Sequence, residues 1–432
     1  MFEQLNFRVN YNSADYSDLN FPEHDKAVLG DLGRQVAEIA ARPIMAERRR
    51  LWIRHNGLER TRPVLLCDPE NGWNEIIPES AISCTNSVAR HWEDYLRKLV
   101  FWGNEMHDDF VVEPVFNVPY VFWDTQWAVA GSKHVATEKK TAEQGKAYHI
   151  ETVLESFEQI KDITEPELRI DRPSSEASLD LAREIFDGSL GARRNTVWFW
   201  SFGLTDDIVF LRGMEKLMLD FYDAPESIHQ VMDIIFEGTM KRLDYLESNG
   251  LLCLNNDGTF VGSGGMGFTD ALPAKDFSGK VRTEDMWGLA ESQVTVGVSP
   301  EMFKEFVFPY QRRLMDRFGL TCYGCCEPMD DRFDIVREAP NLRRVSVSPW
   351  ANRRLMSEKL GRSFIYSMKP APSYLAVPSM DQDLVRKDLR EALRITKDNC
   401  VELVMKDNHT LGNNPENLTT WVKIAREEIE AL

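Results

Sequence analysis

The sequence is short of positive charge. Its 51 Lys and Arg face 69 Asp and Glu, a net charge of −18. No basic stripe is present, which excludes a nucleic-acid backbone as partner. An anionic membrane surface would repel such a chain. Long apolar runs are also missing, and none approaches the roughly 20 residues that cross a bilayer. The first ten residues, MFEQLNFRVN, show no basic region followed by an apolar stretch, so no secretory signal is expected. Cysteine is sparse and odd in number, 7 in 432 residues. That is not the density of a disulfide scaffold, and a reducing, cytoplasmic setting is expected.

What is present is a globular, soluble composition, with 43% hydrophobic and 28% charged residues. The length suits one large α/β domain or two ordinary ones. Residues 1–30 read as an N-terminal arm, and 31–55 as a helix from the spacing of Leu32, Val36, Ile39 and Ile44. Short apolar runs predict strands at 63–67, at 110–112 or 120–122, at 196–200, 251–255, 320–325, 342–347, 363–368 and 400–405. Helical patterns lie between them, including 213–222, 225–247, 299–319, 330–338, 353–360, 381–396 and 415–432. Ser299-Pro300 is a helix start and Asn249-Gly250 a helix stop. About eight strand–helix alternations predict a parallel sheet closed into a (β/α)8 TIM barrel. Its expected parts are an N-terminal arm and helix over 1–60 and the barrel over 61–432. Insertions are expected near 125–175, as a subdomain, lid or solvated excursion, and 258–288.

Tyr323-Gly324-Cys325-Cys326-Glu327 follows the strand at 320–325. Alternation along a strand puts Tyr323, Cys325 and Glu327 on one face. A thiol and a carboxylate in step suit a soft or borderline cation. The other reading is a buried cysteine pair packed as small hydrophobes. Gly262-Ser263-Gly264-Gly265-Met266-Gly267 fits G-x-G-x-x-G, but Phe268 to Pro273 carry no helix signature after it. A dinucleotide site needs that helix, so the segment reads as a flexible loop over the barrel mouth. Asp407-Asn408-His409-Thr410-Leu411-Gly412 matches the cobalamin histidine loop by pattern, yet only one helix follows it.

Taken together, Gly213-Met214-Glu215-Lys216-Leu217, Ala224-Pro225-Glu226, Ser299-Pro300-Glu301-Met302-Phe303 with Pro309, and the Tyr323–Glu327 stretch resemble the uroporphyrinogen decarboxylase superfamily. The likeness covers roughly 195–430. The superfamily's barrels include decarboxylases and corrinoid-linked methyltransferases. Its methyltransferase branch holds zinc with a His-x-Cys motif and a distant second Cys. Cys325 matches the first Cys, Tyr323 stands where the His belongs, and His409 falls near the distant Cys. The resemblance therefore implies zinc on Cys325, Glu327 and His409, with Glu291 as a substitute ligand. The decarboxylase branch needs arginines after the first strand. Here that loop is Cys67-Asp68-Pro69-Glu70-Asn71-Gly72-Trp73, acidic and aromatic, which would repel a polyanionic porphyrinogen.

The expected function is zinc-dependent methyl transfer between a small O-, N- or S-methyl compound and a corrinoid on a separate protein. Zinc would serve as Lewis acid. Asp257, Glu291 and Lys369 are candidates for orienting substrate or moving a proton. Trp73, Trp198, Trp200, Asn255 and Tyr323 are candidates for its walls. The alternatives are a metal-free decarboxylase of a small acid and a barrel that only docks a corrinoid protein. A homodimer stays open.

Overall fold

A computed structural model describes residues 18–132, 137–140 and 148–432. Most of the expected N-terminal arm lies outside the described residues, and its described end is already helical from Glu23. The single helix predicted over 31–55 is instead two, Glu23–Ala40 and Pro43–Asn56. Pro43 makes the break. It holds Arg42 in extended backbone, ψ 136°, and then opens the second helix, where its missing N–H costs nothing.

Six strands form one parallel sheet. They are β1 (Val64–Cys67), β2 (Trp287–Ala290), β3 (Leu320–Tyr323), β4 (Leu342–Val347), β5 (Ile365–Met368) and β6 (Cys400–Met405). Their spatial order is β1-β6-β5-β4-β3-β2. Nearly every residue in them is buried, as strands covered on both faces must be. Helices such as Arg353–Leu360 and Gln382–Ile395 make the crossovers that parallel pairing requires. Pairings such as Cys67 with Met405, Val347 with Met368 and Ala290 with Tyr323 bring the C-terminal ends of the strands to one rim.

Among the described residues the ladder does not close into an eight-stranded barrel. The predicted strands at 196–200 and 251–255 are irregular, and β2 was not foreseen. Beside β2 a side chain replaces a backbone. Asn255 Nδ2 donates to Trp287 O at 3.0 Å, and Trp287 N–H donates to Asn255 Oδ1 at 2.9 Å. An amide side chain that copies the peptide removes the need for a strand there. Of the two candidates for a second strand, 120–122 falls in a ribbon, and 110–112 is not a strand. Val115–Val118 pairs in parallel with Gly191–Arg194 instead.

The predicted insertion at 125–175 is largely an antiparallel ribbon. Val121–Asp124 pairs with Leu168–Asp171, Ala128–Val129 with Ile163–Thr164, and Thr137–Lys140 with Tyr148–Glu151. Residues 133–136 and 141–147 of that prediction lie outside the described residues. The helix predicted over 299–319 breaks at Val307 into Pro300–Phe306 and Phe308–Met315. Pro309 has no N–H to continue the ladder, and its ring crowds the carbonyl one turn back.

The glycine-rich segment is not a flexible loop. Phe260–Val261 and Gly265–Met266 form a short hairpin, and residues 260–269 are buried. A Cβ on Gly265 would stand 2.5 Å from Arg344 Cζ. The glycines are there because the hairpin is pressed against the sheet's own side chains.

Candidate active site

β3 ends at Tyr323, and Gly324 turns the chain with φ +89°. A residue with a Cβ is strained there. The turn cancels the strand alternation, so Tyr323, Cys325 and Glu327 do not share a face as predicted. Tyr323 is fully buried, and its hydroxyl donates to Gln311 Oε1 at 2.6 Å. It is a core residue and not a substrate wall.

Cys325 is fixed from both sides. Its N–H donates to Glu327 Oε2 at 2.9 Å, and its carbonyl accepts from Ser346 Oγ at 2.8 Å. Glu327 Oε1 accepts from Ser292 N–H at 2.8 Å. The Glu327 carboxylate therefore splints two loops. Burial raises its pKa, and the Ser292 and Cys325 N–H groups pull it back.

Three groups surround the Cys325 sulfur. Lys406 Nζ lies 3.3 Å from Sγ, Ser263 Oγ lies 3.3 Å from it, and Cys326 Sγ lies 3.5 Å away. Lys406 also donates to Ser263 Oγ at 2.9 Å. Lys406 follows directly on β6, and Ser263 sits in the buried hairpin. Cys325 is only 4% exposed, and burial alone would raise its thiol. The Cys326 hydrogen bond and the Lys406 charge outweigh burial and hold the thiol below its ordinary range. Lys406 in turn is held protonated, because Cys325 and Asp407 outweigh its own burial. Asp407 completes the ring, with Oδ1 3.3 Å from Lys406 Nζ and Oδ2 3.5 Å from Cys326 Sγ. Its φ is +61°, backbone strain of the kind that clusters at functional sites.

The expected zinc trio does not assemble. Among the described residues no group of three His, Cys, Asp or Glu side chains is arranged to hold a metal ion. Each member is engaged elsewhere: Cys325 with an ammonium, Glu327 with two backbone N–H groups, and exposed His409 with Asn71, Nδ1 to Nδ2 3.3 Å. These residues do not fit zinc.

Below the rim lies a buried network of which sequence reasoning singled out only Lys369. Glu402 meets Arg344 Nε at 3.0 Å, His55 Nε2 at 3.0 Å and Ser367 Oγ at 2.5 Å. Lys369 donates to Ser367 Oγ at 2.7 Å, and burial lowers its pKa to about 8. Its charge faces Glu402, Lys406, Arg344 and Cys325. Beyond Lys406, Asn408 Nδ2 donates to Asp68 O at 2.7 Å. Asp68 Oδ2 and Asn408 Oδ1 are buried with no hydrogen-bond partner among the described residues. Burial and Glu70 push Asp68 up to about 7.

A cavity of about 310 Å³ opens between the ribbon and residues 197–204. Trp200 and Glu291 both line it, as do Asp206 and Asp207. Glu291, 1% exposed, accepts from Ser201 Oγ at 3.3 Å and from Gln293 N–H at 2.9 Å. Gly203 makes room for it, since a Cβ there would be 2.6 Å from Glu291 Oε1. Burial drives the Glu291 pKa well up, and the charges of Asp206, Glu327 and Cys325 add to it. Glu291 thus stands electrostatically between the cavity and the cysteine cluster. Leu204, in the cavity wall, has φ +64°, a second strained position.

The other predicted residues have structural partners. Asp257 pairs with Arg193 and accepts from Thr259 N–H at 2.9 Å. Trp73 packs on Phe101 and Trp102. Trp198 donates to Leu251 O at 2.8 Å. Asn255 clamps β2 and shares a minor cavity of about 40 Å³ with Trp200.

The chain matches no known family model and, in sequence, no curated protein. Among solved structures, a methyltransferase from Methanosarcina mazei is similar in structure with a TM-score of 0.47 and 12% identity. The alignment covers 88% of this chain and 98% of that one. That likeness is too distant to carry chemistry across.

Proposed function

We propose that this chain is a methyltransferase in which the Cys325 thiolate takes the methyl group of a small methylated compound. The observation that carries the reading is the ammonium of Lys406 at 3.3 Å from the Cys325 sulfur. A thiolate is the nucleophilic form of cysteine, and the Cys326 hydrogen bond together with the buried Lys406 cation lowers the thiol's pKa towards it. A sulfur lone pair forms the S–C bond to the methyl carbon. The bond from carbon to the heteroatom breaks, and the heteroatom departs with that electron pair. Lys406 and the Ser263 hydroxyl hold the sulfur's charge before attack and receive it again when the methyl is passed on.

The resemblance alone supports a corrinoid on a separate protein as the methyl's other address. A (β/α)8 barrel is likewise our reading of the six-stranded sheet. Three features support it: Asp109 N–H donating to Leu65 O at 2.8 Å, Phe202 N–H donating to Leu289 O at 3.0 Å, and the parallel pair Val115–Val118 with Gly191–Arg194 between those edges.

The test is a donor screen with a quaternary ammonium, a methyl sulfonium and an aryl methyl ether. Loss of methyl from one donor is expected, abolished by Cys325→Ser and kept by Cys322→Ser. Demethylation that ignores Cys325→Ser would refute the reading.

A further inference from the structure

We propose that Lys369 and Ser348 form a subsite beside Cys325 for the carboxylate of a small organic acid. The strand register brings the two together. Val347 pairs with Met368, and Lys369 N–H continues the ladder to Val347 O at 2.9 Å, so Ser348 and Lys369 are the next neighbours at the rim. Neither has the positive φ that turns the chain at Gly324, so strand alternation holds for both. Ser348 therefore shares the face of Arg344 and Ser346, and Lys369 that of Ser367. On this face Arg344 meets Glu402 at 3.0 Å, and Ser346 Oγ reaches Cys325 O at 2.8 Å.

Both side chains are buried and short of partners. Lys369 is 2% exposed and Ser348 1%. Of the ammonium's three N–H groups, one is used among the described residues, on the neutral Ser367 hydroxyl at 2.7 Å. The Ser348 hydroxyl has no hydrogen-bond partner among them. The anions near Lys369 are already held. Glu402 has Arg344 and His55, each at 3.0 Å, and the Cys325 sulfur has Lys406 at 3.3 Å. Fully buried lysines are almost always paired with a counter-charge. The lowered pKa of Lys369, about 8 with burial as first cause, fits that lack. A water molecule would fill the hydrogen bonds and leave the charge unpaired. A carboxylate brings one negative charge and acceptors enough for the two remaining N–H groups and the Ser348 hydroxyl. The acidic loop after β1 stands at the far end of the row. The order across the rim is β1-β6-β5-β4, which sets Lys406 between Asp68 and Lys369.

The inference rests on the methyl-transfer reading only in making this acid the methyl donor, with its methyl group turned to the Cys325 sulfur.

Affinity labelling of the full chain tests the inference, with iodoacetate and its uncharged analogue iodoacetamide. With each, the Cys325 sulfur forms a bond to the CH2 carbon and iodide leaves, so the two differ in the carboxylate alone. Free cysteine measured alongside gives the intrinsic ratio of the two rates. At Cys325, followed by peptide mapping, iodoacetate should react saturably. Its rate relative to iodoacetamide should exceed the free-cysteine ratio by about tenfold or more. The chain's net charge of −18 acts against that preference. Lys369→Met and Ser348→Ala should each lower the ratio towards the free-cysteine value. Any change in the thiolate itself cancels in the ratio, since both reagents need it. Ser348→Ala removes a hydroxyl that has no partner and should fold as the unmodified chain does, which covers the case that Lys369→Met does not fold. Rates linear in iodoacetate at the free-cysteine ratio, or a raised ratio that both variants leave in place, would overturn the inference. A saturable preference without methyl loss from any donor sinks the methyl-transfer reading alone. Methyl loss without the preference sinks this inference alone.

Discussion

Lys406 Nζ stands 3.3 Å from Cys325 Sγ, at the ends of strands whose residues lie about eighty positions apart in sequence. The pair is buried, so its charges are weakly screened and depend on each other. Lys406→Met should therefore raise the Cys325 thiol towards the ordinary range near 8.5. The sign follows from the ammonium's position, since it favours the thiolate. The rate of Cys325 alkylation by iodoacetamide, followed against pH, should reach its plateau at lower pH in the unmodified chain than in the variant. At neutral pH the variant should react about tenfold more slowly. Superimposable profiles would mean that the ammonium does not set the thiolate.

His55 and Glu402 predict a pH dependence of stability. Burial opposes charge on His55, but Cys400 and Glu402 outweigh it and raise its pKa to about 9. A group raised in the fold stabilises fully below its unfolded value near 6.5, and that contribution is lost as pH rises through about 9. The size is on the order of 3 kcal/mol at most. Thermal unfolding should show Tm falling between pH 6.5 and 9.5. His55→Gln should be less stable at pH 6.5 and flatter across the window. A chain whose Tm rises over this range would contradict the assignment.

Gly203→Ala should lose stability by about 1–3 kcal/mol, the usual cost of overpacking. Its Cβ would meet Glu291 O at 2.5 Å and Oε1 at 2.6 Å. Urea unfolding measures the loss. A neutral result would show that the Glu291 loop has room to move.

His409→Ala should change stability by no more than about 0.5 kcal/mol, as exposed positions do. It should also leave the alkylation profile of Cys325 where it was. A displaced profile would return His409 to the sulfur's neighbourhood and revive the three-ligand metal expectation.

Much of the framework was legible in the sequence. Strands β1, β4, β5 and β6 and the helices Pro225–Ser248 and Gln382–Ile395 are clean apolar patterns and appear where periodicity put them. The failures have local causes. Pro43 and Pro309 split helices that apolar spacing made continuous. The side chain of Asn255 did a strand's pairing, and β2 carries Gly288 and Ala290, weak strand formers, directly after the glycine-rich segment. Cys325 was singled out with only part of its surroundings, since Glu327 does hold its backbone N–H. Alternation paired it with Tyr323 and Glu327, and Gly324 broke that alternation. Its real neighbours, Ser263 and Lys406, come from other elements, and only the topology brings them together. One signal was available: Lys406-Asp407 directly follows a predicted strand, where parallel sheets place ligands.

The central claim is that the Cys325 sulfur receives the methyl group. The direct measurement is peptide mapping by mass spectrometry after incubation with the active donor carrying an isotopically labelled methyl. The Cys325 peptide should gain one labelled methyl in place of its proton, more slowly with Lys406→Met and not at all with Cys325→Ser. Label on another residue, or donor turnover with Cys325 unlabelled in rapidly quenched samples, would contradict the account.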